Sequence, residues 1–188
     1  MAILGDDYAE KGLFIGLGDM GVPMAGRLAD AGLQPLVWSR RPESADPIVS
    51  RGAERAKSVD ELFDACDRVV LMLAHADAMD EVLGRGTPQF GKRVSGVTLI
   101  HMGTTPPGYS QSLAADVIEA GGQYAEVPVS GSTGPAATGD LVAMAAGSDA
   151  ALAAAEDAIN HMCRAIVPCG AVPKALQMKL AVNSYLGG

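Results

Sequence analysis

The residues of this chain best suited to chemistry begin with Gly16-Leu17-Gly18-Asp19-Met20-Gly21. Glycine at the first position permits a tight turn, at the third it lets the backbone approach a pyrophosphate, and at the sixth it lets a helix pack closely on a strand. The amino end of a helix begun there offers N–H groups and a positive dipole end to phosphate. Ser39-Arg40-Arg41 stand about twenty residues on, where a site that reads a ribose 2′-hydroxyl carries Asp or Glu. No acid occurs there until Glu43. A carboxylate would repel a 2′-phosphate, whereas guanidinium groups offer it charge-assisted hydrogen bonds and Ser39 adds a hydroxyl donor. Together these features point to a dinucleotide site that prefers NADP(H) over NAD(H). The bland alternatives are an unliganded strand-turn-helix and two solvated surface arginines.

A second set of candidates lies later in the chain. Lys179 and Asn183 are four apart in a helical pattern, within a stripe of Leu176, Leu180 and Leu186. A lysine in an apolar setting beside a carbonyl can have a lowered pKa and donate a proton. Lys174 and Lys179 could equally be solvated helix charges. Three small-residue loops follow apolar runs: the first glycine loop, Gly103-Thr104-Thr105-Pro106-Pro107, and Ser130-Gly131-Ser132-Thr133-Gly134-Pro135. Loops at the carboxyl ends of parallel strands converge on one crevice, where hydroxyls and backbone N–H groups suit a small carboxylate beside a nicotinamide. Leu73, Ala74 and Thr104 are assigned to the cofactor. Ordinary turn chemistry accounts for Thr104 and Ser130 equally well. His75 and His101 stand near the same crevice, as proton relays or as structural groups, and His161 suits a helix carboxyl end.

These residues need elements to position them. Leu13 to Ile15, the glycine turn, a helix marked by Met20, Met24, Leu28 and Ala31, Gly32 as its cap, and the run Pro35 to Trp38 make strand, turn, helix and strand within Lys11 to Pro42. That context is what G-x-G-x-x-G requires. Beyond it the spacing predicts a short helix over Pro42 to Arg51 and a brief strand at Ala53 to Ala56. Ser58-Val59-Asp60-Glu61 is a capping box that starts a helix with Leu62, Phe63 and Cys66 on its buried side. Val69 to Leu73 reads as a strand covered on both faces. A helix through Met79, Val82 and Leu83 closes at Gly84, and Gly91 to Gly96 reads as a polar connector. Val97 to Met102 is a strand, followed by a helix around Leu113, Val117 and Ile118 that ends at Gly121-Gly122. Then come a strand from Tyr124 to Val129, an apolar run from Leu141 to Ala146, a helix from Asp149 to Met162, a short strand from Ala165 to Val167, and helical spacing from Pro173 to Leu186. Strands alternating with helices imply an α/β, Rossmann-type, doubly wound and mostly parallel sheet. Residues 1–10 read as a polar, mobile lead-in, 11–172 as the nucleotide-binding domain, and 173–188 as the start of a further helix.

Composition narrows the partners. The formal net charge of −8 disfavours nucleic-acid backbones and anionic membranes. Hydrophobic residues make up 48% and aromatics 4%, so the core is built from Ala, Val, Leu and Met. Cys66, Cys163 and Cys169 lack metal-ligand spacing and read as reduced thiols of a cytoplasmic protein, with no metal. No leader opens the chain and no apolar run reaches membrane-spanning length. The last helix carries apolar residues on more than one side, which suggests the first part of a longer protein.

These motifs together resemble the β-hydroxyacid dehydrogenase family, which includes 3-hydroxyisobutyrate dehydrogenases and glyoxylate/succinic semialdehyde reductases. Gly16 to Leu28, GLGDMGVPMAGRL, is similar to that family's cofactor motif. Pro128 to Leu141, PVSGSTGPAATGDL, resembles its substrate loop, with Ser132 in place of a second glycine. His101 to Pro107 resembles D-x-S-T-x-x-P, with His101 for the acid and Gly103 for the serine. Lys179 to Asn183 resembles K-x-x-N-N, with Val182 at the first asparagine, and Pro173 and Ala175 replace the glycines usual before it. The resemblance implies hydride transfer between a nicotinamide and a small hydroxy or aldehyde acid. In that reading Lys179 is the general acid or base, Asn183 positions the substrate, and Ser130 and Gly131 hold its carboxylate. It further implies a helical domain beyond this chain that covers the substrate and forms a homodimer, so that residues 1–188 alone would turn over poorly. Imine reductases resemble the same fold and motif, and His101, Gly103 and Val182 keep imine reduction open. A non-catalytic nucleotide-binding module is the alternative of another class. Sugar-phosphate oxidative decarboxylation is disfavoured, because that related family has glycines and an asparagine where His101 to Thr105 stand.

Overall fold

The computed structural model describes residues 13–186, so the expected lead-in, Lys11 and the closing glycines lie outside the described residues. Nine strands form one sheet in the order β3-β2-β1-β4-β5-β6-β8-β7, with β9 pairing β8. β1 (Leu13–Ile15) pairs in parallel with β2 (Leu36–Trp38) and with β4 (Arg68–Leu71). β2 pairs with β3 (Glu54–Arg55), β4 with β5 (Thr98–His101), and β5 with β6 (Gln123–Glu126), all in parallel. The strand order reverses between β1 and β4, the switch point where open α/β sheets bind ligands. The doubly wound, mostly parallel sheet read from the alternation of patterns is the observed one.

The strands are apolar because both faces are covered. Leu13, Phe14 and Ile15 are all fully buried, and each such side chain contributes about 1.5–3 kcal/mol by leaving water. Phe14 faces the core beneath α1 (Gly21–Asp30) and α8 (Asp149–Met162), with Met24, Leu28, Ala155 and Ile159. Leu13 and Ile15 face the opposite core, with Leu62, Met79, Leu83 and Val117 from α3 (Val59–Ala65), α4 (Ala76–Leu83) and α6 (Pro107–Glu119). The period of two in the strand decides which residue meets which layer.

Several local expectations hold and several do not. Ser58 accepts from the Glu61 N–H at 3.1 Å, as a capping box requires, but Glu61 reaches the Lys57 N–H instead of that of Ser58. Gly32 follows α1 with φ +80°, its N–H bonded to the Ala29 carbonyl, and the Leu33 N–H reaches Leu28. Ala31, expected on the buried face, is exposed, because α1 ends at Asp30; Ala25 and Ala29 complete that face. Cys66 is the extended residue that ends α3 and is only half-buried, though it packs against the same core as Leu62 and Phe63. Ile118 is 64% exposed, and α6 buries Ser110, Leu113, Ala114 and Val117. Pro42 to Arg51 splits into a 3-10 turn, Pro42–Ala45, and a four-residue helix α2, Asp46–Val49. The expected connector at Gly91 to Gly96 is mostly helix: α5 spans Pro88–Val94, capped by Thr87 and buried through Phe90 and Val94.

The region after β6 departs most. The expected strand from Tyr124 is interrupted after Glu126 and resumes as β7 (Val129–Ser130). Both pieces pair antiparallel with β8 (Leu141–Gly147) in one continuous register: Glu126 opposes Ala146 and Val129 opposes Ala143. Pro128 has no N–H to give, yet its carbonyl still accepts from the Met144 N–H at 2.9 Å. The small-residue loop is shorter than expected, because α7 (Thr133–Thr138) begins inside it. β9 (Cys163–Gly170) is longer than the expected Ala165 to Val167, and α9 (Lys174–Leu186) follows. No helix among the described residues is long and apolar enough to cross a membrane.

Candidate functional site

At the carboxyl ends of β1, β2 and β4 the chain leaves a crevice of about 610 Å³. Gly16, Leu17 and Gly18 form its floor, and Ser39, Arg40 and Arg41 form one rim. Met72, Leu73, Ala74 and His75 form the wall, with Ala78, Glu81 and Val82 from α4 beyond them. The glycine loop has its shape for steric reasons. Gly16 sits at φ +101°, and a β-carbon on it would stand 2.3 Å from the Met72 carbonyl oxygen. Gly18 is exposed, and a β-carbon there would meet nothing within 4 Å. The open space lies on the ligand side of the loop, as a backbone approached by an anion requires. Met20, ahead of α1, gives that helix no side-chain cap, but the Val22 N–H already reaches the Gly18 carbonyl at 3.0 Å and Pro23 has no N–H, so what α1 turns to a ligand is chiefly the positive end of its dipole.

Arg40 and Arg41 are exposed on the rim and Ser39 is half-buried beside them. No acid lines this end of the crevice; Glu81, its only carboxylate among the described residues, comes from α4. A second hollow of about 370 Å³ between α8 and β9 has the opposite character. Its ionisable groups, Asp149 and Glu156, would repel phosphate.

The structure divides the remaining candidates. Asp19, Met20, Gly21, Thr104, Ser130, Gly131, Ser132, Lys179 and Asn183 do not line this crevice. Gly21 is buried at the start of α1, where it closes the turn. Thr104, Gly131 and Ser132 are exposed in their loops, and Ser130 ends β7 half-buried. Gly103 is tied to close packing, since a β-carbon on it would stand 2.3 Å from the Leu73 carbonyl oxygen. A serine, which the family pattern has there, does not fit this loop as it stands. The crevice also uses Trp38, Met72, Val59 and Arg93, which the sequence reading did not single out. Arg93 donates to the Val82 carbonyl at 2.7 Å and to Asp60 at 2.8 Å, tying α5 to α4 and α3. Phe90 and Val94, four apart after the Thr87-Pro88 start, were the signal for that helix.

Lys179 and Asn183 share a helix but not an environment. Lys179 is 8% exposed, and among the described residues no carboxylate lies within ion-pair distance of it. Burial lowers its pKa from the ordinary lysine value. Asn183 is exposed, and Leu180 beside it is 39% exposed. His75 is exposed at the start of α4, whereas His101 is fully buried and driven down to a pKa of about 4 by desolvation. Cys163 and Cys169 are free thiols, and no cluster among the described residues could hold a metal.

Comparison with known proteins agrees with this geometry. Residues 12–170 match the family described as the NAD binding domain of 6-phosphogluconate dehydrogenase. The chain is 33% identical over 175 residues to glyoxylate/succinic semialdehyde reductase 2, chloroplastic, of Arabidopsis thaliana, covering 93% of this chain and 49% of that one. It is 32% identical to mouse mitochondrial 3-hydroxyisobutyrate dehydrogenase, covering 92% of this chain and 52% of that one. Among solved structures, an imine reductase of Streptomyces aurantiacus superposes with a TM-score of 0.85 at 26% identity, covering 94% of this chain and 61% of that one. The chain spans about half the length of these curated relatives.

Proposed function

Because the chain belongs to the family of the NAD binding domain of 6-phosphogluconate dehydrogenase, with hydroxyacid dehydrogenases and reductases among its relatives, we propose that it is the nucleotide-binding part of an NADP(H)-preferring oxidoreductase of small hydroxy or aldehyde acids. The observation that carries the cofactor choice is the crevice rim, where Ser39, Arg40 and Arg41 stand with no acid beside them. Gly16 to Gly21 and the uncapped start of α1 would hold the pyrophosphate, and Leu73 and Ala74 the nicotinamide half, with Thr104 close by. When bound, the nicotinamide supplies or accepts the hydride. Lys179 holds a proton at Nζ and delivers it to the substrate oxygen; its burial lowers the cost of giving that proton up. Asn183, Ser130, Gly131 and Ser132 orient a carboxylate-bearing substrate. A second domain, for which the greater length of the curated relatives leaves room, would close the pocket, exclude water and pair two subunits.

Titration with NADPH and NADH, followed by fluorescence, tests the cofactor half in wild type and Arg40→Ala. The expected result is NADPH binding at least tenfold tighter, about 1.4 kcal/mol, with most of that margin lost in the variant. Equal affinity for NADH overturns it. Imine reduction is the second reading, supported by the imine reductase fold match and by Gly103, whose packing leaves no room for the family's serine. Turnover of a cyclic imine but of no hydroxy acid by the full chain selects it. Cofactor binding with no turnover of either class selects a non-catalytic nucleotide-binding module.

A further inference from the structure

A buried line of side chains joins the start of α9 to the end of β5. Glu126, fully buried at the end of β6, accepts the Leu176 N–H at 2.9 Å and the Ala175 N–H, both in the first turn of α9. Its other oxygen accepts from the Ser110 hydroxyl. Ser110 Oγ lies 2.8 Å from the Tyr124 hydroxyl, which lies 2.6 Å from His101 Nδ1. Ser110, Tyr124 and His101 are buried, and His101 Nε2 has no partner among the described residues.

Counting protons orients this line. A carboxylate can only accept, so it takes the single hydroxyl proton of Ser110. Ser110 must then accept from Tyr124, whose one proton is thereby used. Tyr124 can only accept from His101, which must carry its proton on Nδ1. A neutral imidazole has one N–H, so Nε2 is left as a bare acceptor. That atom lies 3.5 Å from where a β-carbon on Gly103 would stand, beside the loop that meets Leu73. A protonated Glu126 would donate to Ser110 and reverse every bond, leaving the proton on Nε2. Burial raises the Glu126 pKa above the ordinary carboxylate value, while the Ser110 hydroxyl, two backbone donors and the positive end of the α9 dipole work against that rise and hold the group as a carboxylate at neutral pH.

We propose that Glu126 is a positioning residue: as a carboxylate it anchors the first turn of α9, which carries Lys179, and it fixes His101 as the Nδ1–H tautomer with Nε2 a bare acceptor at the Gly103 loop. The relevance of the anchor to catalysis rests on the reading of Lys179 as proton donor; the anchor and the tautomer do not.

Nitrogen-15 NMR of the His101 imidazole in the full chain reads the tautomer directly, and amide exchange reads the anchor. Wild type is expected to show protonated Nδ1. Ser110→Ala frees the Tyr124 proton for Nδ1 and is expected to move the imidazole to the Nε2–H form. Glu126→Gln is expected to speed exchange of the Leu176 and Lys179 amides at least tenfold, with Glu126→Asp recovering part of the protection. An Nε2–H wild type, an unchanged tautomer in Ser110→Ala, or unchanged α9 exchange in Glu126→Gln overturns the assignment. If these results hold and the full chain reduces no hydroxy acid, aldehyde acid or imine, the reaction reading fails and the role of Glu126 stands.

Discussion

The carbonyl oxygen of Gly16 lies 1.8 Å from the point that a β-carbon on Gly21 would occupy. The first and last glycines of the loop are therefore locked against each other, while Gly18 between them faces open space. Gly21→Ala is expected to cost about 2–3 kcal/mol of stability, because backbone has to move. Gly18→Ala, at a position without positive φ, is expected to leave the melting temperature nearly unchanged and to weaken nucleotide binding at least tenfold. Calorimetry and titration of both variants check the contrast. Equal loss of stability in the two would show that Gly18 also serves packing.

Arg40 and Arg41 are exposed, so their attraction for a 2′-phosphate is screened by salt. The margin between NADPH and NADH is expected to shrink severalfold between about 10 mM and 500 mM salt, as the Debye length falls from roughly 30 Å toward 4 Å. NADH affinity, which lacks that phosphate, changes less. A margin independent of salt would locate the discrimination elsewhere.

Lys179 is buried with no carboxylate partner among the described residues, and burial favours its neutral form. The sign is that of a base whose folded pKa is depressed. Holding the proton penalises the fold at neutral pH, and the penalty is relieved as pH rises from the lowered value toward 10.5. Lys179→Met is accordingly expected to raise the melting temperature at pH 7, by about 2–4 °C per kcal/mol recovered, with a smaller gain at higher pH. The same substitution is expected to lower turnover of the full chain at least a hundredfold. A variant less stable at pH 7 would mean that Lys179 has a partner in the folded chain.

Burial drives the His101 pKa from 6.5 down to about 4. Between those values the unfolded chain takes up a proton that the folded chain refuses, so this group removes stability as pH falls through the window. Unfolding free energies from urea titration are expected to drop more for wild type between pH 7 and pH 4.5 than for His101→Asn, by at most about 3 kcal/mol. Glu126, whose raised pKa acts in the opposite sense, is joined to His101 through Ser110 and Tyr124, so Glu126→Gln is measured beside His101→Asn to separate the two. Parallel pH profiles would show that His101 stays accessible to a proton.

What could be read in advance followed from the range of the forces involved. α8 spans Asp149–Met162, as its alanine-rich pattern indicated, because Ser148 caps it locally and accepts from the Ala151 N–H. The glycine loop was legible for the same reason: its geometry is set within six residues. α5 was missed because Gly91, Lys92 and Arg93 sit in its middle, while the packing of Phe90 and Val94 overrides their polarity. The β7 pairing was hidden behind Pro128 and a run of serine and glycine, since it depends on β8. The line from Glu126 to His101 could not be read at all, because its contacts span 14 to 50 residues and no short motif records them.

The single register shared by β6, β7 and β8 divides the labour of the molecule. Past Val127, whose N–H still reaches His101, the strand pairs only with β8, so Ser130 stands about 10 Å farther along the chain than the last bond to the parallel sheet. The connection that follows rests on the body through Ala136, the one buried residue of α7. Ser130, paired with Val142, and Gly131, at φ +138° against Leu141, hold their places, whereas residues 132–134 are exposed and can vary while the strands that shape the nucleotide crevice stay as they are. On the proposed role of this loop, one part of the chain can be held constant and the other rewritten for a new substrate.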